Sequence, residues 1–185
     1  FRGSPLGLTE GPHLYRRGDY YYLITAEGGT GVRHAVSMAR SRSITGPYEL
    51  HPDLHVVTSR FFPDAALQRG GHGDFVETQD GEVYVVHLTG RPIPGLNRSP
   101  LGRETAIQKA CWDDDGWLRL CGDALEPKTL VPAPKLPSCP FPDDAARHDF
   151  ESGSLPAPFQ WLRTPHPERI FSLADRPGHL RLIGR

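Results

Sequence analysis

Glu10-Gly-Pro-His-Leu-Tyr-Arg-Arg-Gly-Asp-Tyr-Tyr-Tyr-Leu-Ile24 decides the fold of this chain, because its layout returns further along. Tyr20–Ile24 is rich in aromatic and branched side chains, which suit a pleated, half-buried surface. It follows the turn signal Arg17-Gly-Asp19. Ahead of it come Glu10-Gly11, the apolar Leu14 and Gly18. The same order recurs 62 positions on (10 to 72): His72-Gly73, Val76, Gly81, then Tyr84-Val-Val86. Each stretch continues through a Gly-containing loop to a second strand pair. The first ends in Ser43-Ile-Thr-Gly-Pro-Tyr48 and the second in Asp115-Gly-Trp-Leu118. A four-strand unit repeating at this period predicts β-propeller blades. In a propeller the innermost strands line a central channel, so Glu10 and His72 would start equivalent strands facing one axis. Two unrelated hairpin pairs in a sandwich fit the same pattern.

The neighbouring sequence is also β. His34-Ala-Val-Ser-Met-Ala39 alternates in side-chain size, and Glu82-Val-Tyr-Val-Val-His-Leu88 follows the turn Asp80-Gly81. Thr105–Trp112 leads into Asp113-Asp-Asp-Gly116 and then Trp117–Leu120. The Asp run lacks the alternating spacing and closing Glu of an EF-hand, so it reads as a hairpin turn. Gly and Pro supply 20 and 19 of 185 residues. Helix interiors tolerate neither, and the fold class is all-β. The 21 Lys and Arg against 22 Asp and Glu offer no electrostatic case for nucleic acid or an anionic membrane surface.

Beyond residue 125 the composition shifts. Six prolines between Pro127 and Pro142 suit an extended linker over 126–147. From His148 a new segment begins, with Trp161-Leu, Ile170-Phe-Ser-Leu173 and His179–Ile183 as short strands. The 38 residues of 148–185 are too few for a core of their own, and read as the start of a second β domain. The chain opens on Phe1 without a charged-then-apolar leader and closes on a strand in progress, so both ends read as cut. It holds no apolar run of about 18 residues to span a membrane. Cys111, Cys121 and Cys139 have no metal-like spacing, and an odd count fits no complete disulfide framework, so three reduced thiols are expected.

Three residues could carry chemistry. Gly-Pro directly after Glu10 stiffens the backbone around a carboxyl, which suits a positioned general acid; a solvated turn Glu is the bland alternative. His72, among three glycines in Gly70-Gly-His-Gly-Asp74, suits a metal, a sugar hydroxyl or a carboxylate, or is structural. Asp74 is a candidate to orient it. Arg103, entering a strand, presents a planar fork for hydroxyls, unless Glu104 takes it in an ion pair. Glu27-Gly-Gly-Thr-Gly31 lacks the following Lys and helix of a phosphate cradle. Asn97-Arg-Ser99 fits the glycosylation pattern only formally, with Pro100 after it. A carboxyl, a His and an Arg at converging strand starts suit carbohydrate.

Thr9–Tyr15, Tyr20–Thr30, Ala39–Tyr48, Gly71–Asp74, His87–Gly90 and Leu101–Thr105 together resemble glycoside hydrolase family 43, in its β-xylosidase and α-L-arabinofuranosidase branch, over residues 1–125. The resemblance implies part of a five-bladed β-propeller, followed over 148–185 by the start of a β-sandwich domain. It implies an inverting glycosidase that releases xylose, with arabinose as a side product, from xylo-oligosaccharides. Glu10 maps to the general acid, Arg103 to a substrate-binding Arg, His72 to the channel His and Thr30 to a pocket-lining Thr. The Asp base and a second, pKa-tuning Asp lie upstream of this chain, so the 185 residues alone are expected to be inactive. No cofactor is required. A structural calcium ion in the channel, with His72 beside it, is within what the resemblance implies. A non-catalytic carbohydrate-binding propeller is the alternative.

Overall fold

The computed structural model describes residues 3–122, 124–140 and 147–184. The chain divides into two units, Phe1–Leu136 and Pro137–Arg185. No helix among the described residues is long and apolar enough to cross a membrane.

The first unit contains β1 (Glu10–Arg17), β2 (Tyr20–Glu27), β3 (Ala35–Ser41), β4 (Glu49–Thr58), β5 (Gln68–Glu77), β6 (Val83–Gly90), β7 (Glu104–Trp112) and β8 (Leu118–Leu120). They form two four-stranded antiparallel meanders, β1-β2-β3-β4 and β5-β6-β7-β8. These are two blades of a β-propeller, and the sequence repeat is the blade repeat. Two details differ from the sequence reading. β5 begins at Gln68, which places His72 inside the strand rather than at its head. The first blade does not end at Tyr48 but adds β4. Pro52 hid that strand. Pro is tolerated here because β4 is the edge of its sheet. Register shifts opposite Ser37 and a left-handed Leu54 (φ 65°) further disguise the alternation.

The blades pack face to face. Tyr22, Ile24, Val36, Met38, Val56 and Val57 of the first meet Val83, Val85, Ala110, Trp117, Leu118 and Leu120 of the second. Each such side chain contributes about 1.5–3 kcal/mol by leaving water. Tyr22 fixes the register between sheets. Its ring meets Trp112 edge-on at 4.9 Å, and its hydroxyl donates to the Gly116 carbonyl at 2.6 Å. That carbonyl belongs to the Asp113–Gly116 turn, which closes the β7–β8 hairpin as the Asp run predicts.

Four buried histidines, His34, His51, His55 and His87, lie among these strands. Each leaves its Nε2 without a hydrogen-bond partner among the described residues. Burial is the main cause that lowers all four pKa values, with His51 brought to about 4 and the Arg119 charge adding to the effect there. The folded pKa lies below the unfolded value near 6.5. The contribution to stability is therefore complete above about pH 6.5 and is lost as pH falls toward the folded values. The urea midpoint of the full-length protein should drop steadily between pH 7 and pH 5. A flat profile over that range would contradict neutral, buried imidazoles.

The cysteines correct the expectation of three thiols. Cys111 and Cys121 form a disulfide, and Cys139 alone is free and exposed. The hairpin brings the two Cα atoms to 5.4 Å, within the usual span of a bridge.

The start of the proline-rich segment packs against the second blade. Gln108 exchanges two hydrogen bonds with the Lys128 backbone, Tyr84 donates to the Pro132 carbonyl and Lys135 N–H reaches Glu82. The remainder of the expected linker includes 141–146, which lie outside the described residues, as does Arg185.

The second unit holds β9 (Phe171–Ser172), paired antiparallel with β10 (Arg181–Leu182), and a 3₁₀ turn at Pro167–Arg169. Trp161-Leu162 is not a strand. Trp161 instead donates its indole N–H to the Thr164 carbonyl and rests edge-on against Phe171 at 5.4 Å. Arg163 beside it takes a left-handed φ of 69°, which breaks extension.

Candidate active site

Glu10 opens β1 opposite Ala26, and the pairing slips between Glu10 and His13. Gly11, at φ 55°, forms the irregularity together with Pro12. A bulge of this kind re-aims the neighbouring side chain, and Glu10 is exposed. The stiff Gly-Pro step read in the sequence is this bulge.

His72 meets Glu10 through Gly11. A Cβ added to Gly11 would sit 2.7 Å from His72 Nε2, so the imidazole lies directly over the glycine. His72 has a φ of 45°, a conformation that is rare and strained for a residue with a side chain. The bare backbones of Gly71 and Gly73 on either side let β5 run against the first blade. A Cβ on Gly73 would lie 2.9 Å from Val36 Cγ2.

Arg103 precedes β7 and lines two cavities. One, about 340 Å³, is shared with His13, His72, Asp74 and His87; the other, about 240 Å³, with Thr30, Arg69 and Ser99. Glu104 does not capture Arg103. Its carboxylate is held by Arg91, at 2.7–3.1 Å. A larger cavity of about 720 Å³ lies between the β4–β5 and β6–β7 loops, and none of Glu10, Thr30, His72 or Arg103 lines it. Size therefore does not mark the chemistry here.

Asp74 does not orient His72. It accepts from the Tyr15 hydroxyl at 2.6–2.7 Å and faces His13 Nδ1 at 3.1 Å. Burial, with the Asp74 hydrogen bond and charge behind it, pushes the Tyr15 pKa up to about 12. Tyr15 therefore stays a donor throughout the working pH range and ties β1 to β5.

His34 joins these elements and was not singled out in the sequence, where it reads only as a strand residue. It is fully buried, and its Nδ1 meets the Arg69 carbonyl at 3.0 Å. Burial lowers its pKa most. The Arg69 carbonyl opposes that shift, and the charges of His72, Glu10 and Arg103 all reach the ring. Of the residues chosen from sequence, His72 and Arg103 line one cavity and Thr30 shares the wall of a second with Arg103.

The fit to a calcium ion is poor on these residues alone. Calcium takes six to eight oxygen ligands. Among the described residues no group of three His, Cys, Asp or Glu side chains could hold a metal, and His72 offers nitrogen. No step below passes through a metal.

The model of glycosyl hydrolases family 43 matches residues 2–118, and that of the β-xylosidase C-terminal concanavalin A-like domain matches 147–185. The chain is 53% identical over 185 residues to xylosidase/arabinosidase 43B of Humicola insolens, covering all of this chain and 34% of that protein. It is 49% identical to a xylan 1,3-β-xylosidase of a Vibrio species, covering all of this chain and 36% of that one. The crystal structure of a xylan β-1,4-xylosidase from Bacillus halodurans C-125 superposes with a TM-score of 0.92 at 50% identity, over 98% of this chain and 35% of that one. The chain thus spans about a third of the length of these relatives. With its two blades, the family match over residues 2–118 and the relatives' identity in agreement, the chain belongs to glycosyl hydrolase family 43.

Proposed function

We propose that this chain is the part of an inverting exo-glycosidase that carries its general acid, and that the whole enzyme releases xylose, and secondarily arabinose, from the non-reducing ends of xylo-oligosaccharides. The observation that carries this reading is the placement of Glu10. It is an exposed carboxyl on a bulged strand head, with His72 laid over the next residue and Arg103 sharing a cavity with His72. Glu10, protonated, gives its proton to the departing glycosidic oxygen. A second carboxylate, supplied from outside these residues, draws a proton from the water that attacks the opposite face. Inversion needs about 6.5–9.5 Å between the two carboxyls to admit that water. Arg103 and His72 bind ring hydroxyls and Thr30 lines the pocket. The chemistry uses side chains alone. The 185 residues by themselves, lacking the base, turn nothing over.

The test is stereochemical. Proton NMR of the full-length protein acting on a β-xyloside should show α-xylose first, with the β anomer growing in only by mutarotation. Initial β-xylose would overturn inversion. Parallel assays on aryl β-xyloside and aryl α-L-arabinofuranoside should show the xyloside preferred.

A further inference from the structure

Glu27 closes β2 and has no exposed surface at all. A carboxylate in that position is costly unless donors surround it. They come from three places. Ser4 gives its backbone N–H at 2.8 Å and also its hydroxyl, Thr9 gives its hydroxyl at 3.3 Å, and Ser37 gives its hydroxyl at 3.2 Å. Ser37 has one proton, so the 2.9 Å contact between its oxygen and His55 Nδ1 is donated by the imidazole. His55, Ser37 and Glu27 therefore form a directed chain that ends on the carboxylate.

The partners on the other side of Glu27 belong to the segment that delivers Glu10. Residues 3–9 form no strand, yet they are bound to the end of β2. Gly28 N–H donates to the Gly7 carbonyl at 3.0 Å, and Gly7 N–H to Ser4 at 3.2 Å. Gly3 lies so close that a Cβ there would fall 2.4 Å from Glu27 Oε1. Thr9 immediately precedes Glu10, and Ala26, the cross-strand partner of Glu10, immediately precedes Glu27.

We propose that Glu27 is a positioning residue for Glu10: its buried carboxylate gathers Ser4, Thr9 and Ser37 and thereby sets where the strand head presents the general acid. This rests on Glu10 being that acid. Glu27 itself, wholly enclosed, touches no substrate. Displacing a reacting group by about 1 Å costs on the order of 100-fold in rate, so the anchor is worth more to catalysis than to binding.

The test compares leaving groups in the full-length protein. Thr9→Val removes one donor to the carboxylate and Glu27→Gln replaces the acceptor. On xylobiose, a poor leaving group, kcat should fall about 10-fold for Thr9→Val and about 100-fold for Glu27→Gln. On a dinitrophenyl xyloside, which departs without proton donation, both variants should stay within about threefold, and KM should hold for both substrates. Equal losses on the two substrates, or no loss in a folded variant, would overturn the positioning role. If Glu27→Gln does not fold, Thr9→Val decides the matter alone. Glu10→Gln, run alongside, separates the two readings. If it shows no leaving-group dependence, the assignment of the acid fails; if it does and Thr9→Val does not, the anchor fails.

Discussion

Glu10→Gln in the full-length enzyme is expected to lower kcat on xylobiose by about 100- to 10,000-fold, the usual contribution of a general acid. The amide keeps the size and neutral charge of the protonated carboxyl but has no proton to give at a useful acidity. Loss should therefore track the leaving group. A sugar alkoxide needs the proton and suffers the full effect, whereas a dinitrophenolate leaves unaided and suffers little. KM should change little, because in the proposed role Glu10 acts at the reacting bond rather than against the ring hydroxyls. The structure gives a reason to expect a clean result. Glu10 is exposed at a bulge made by Gly11 and Pro12, so the substitution disturbs no packed side chain. A uniform loss on both substrates would mean that Glu10 serves binding or shape and that another group donates the proton.

How far these features could be read from sequence depended on what each residue shows locally. Tyr20–Ile24 and Val83–Leu88 declare themselves as strands because their side chains fit a half-buried pleat, and the Gly turns ahead of them make the repeat visible. β4 did not, because its buried His51 and His55 are polar in type and Pro52 interrupts the run. Their burial depends on contacts from the other blade, such as Trp117 against His51 at 5.0 Å, and no local pattern encodes those. The site divides in the same way. Glu10, Thr30, His72 and Arg103 stood out through their glycine neighbours or through the family resemblance; Thr30, His72 and Arg103 line one pair of cavities, and Glu10 joins His72 through Gly11. His34 and Glu27 did not stand out. Each is important for what it touches, and the partners of their side chains arrive from 10 to 35 positions away. Asp74 stood next to His72 in sequence but pairs with Tyr15 and His13 of β1, because the blade interface, not the strand, chooses its partner. The bridge between Cys111 and Cys121 likewise follows from hairpin register, which a count of three cysteines conceals.

The same interface makes Gly71→Ala a strongly damaging substitution. A Cβ at 71 would lie 2.4 Å from Cγ and Cδ2 of His34 and 2.7 Å from the Ala35 nitrogen. Neither neighbour can yield easily. Ala35 is backbone within β3, paired with β2 and β4. His34 is fully buried and held through Nδ1 at the Arg69 carbonyl. Either β5 withdraws from β3 or the imidazole turns and abandons its bond. Overpacking costs about 1–3 kcal/mol and a lost buried hydrogen bond about 1 kcal/mol more. The melting temperature of the full-length protein should fall by at least several degrees. Gly31→Ala is the control. It has open space around it and no left-handed backbone, so it should be neutral, or stabilising by about 0.4–1 kcal/mol through the unfolded chain. Activity should separate the two as well. Gly71 abuts His34 and directly precedes His72 in β5, so Gly71→Ala protein that still folds should turn over xyloside more slowly while Gly31→Ala does not. A Gly71→Ala melt within a degree of the parent would show that β5 can stand off from β3 without loss, and that the glycines around His72 are not there to bring the blades together.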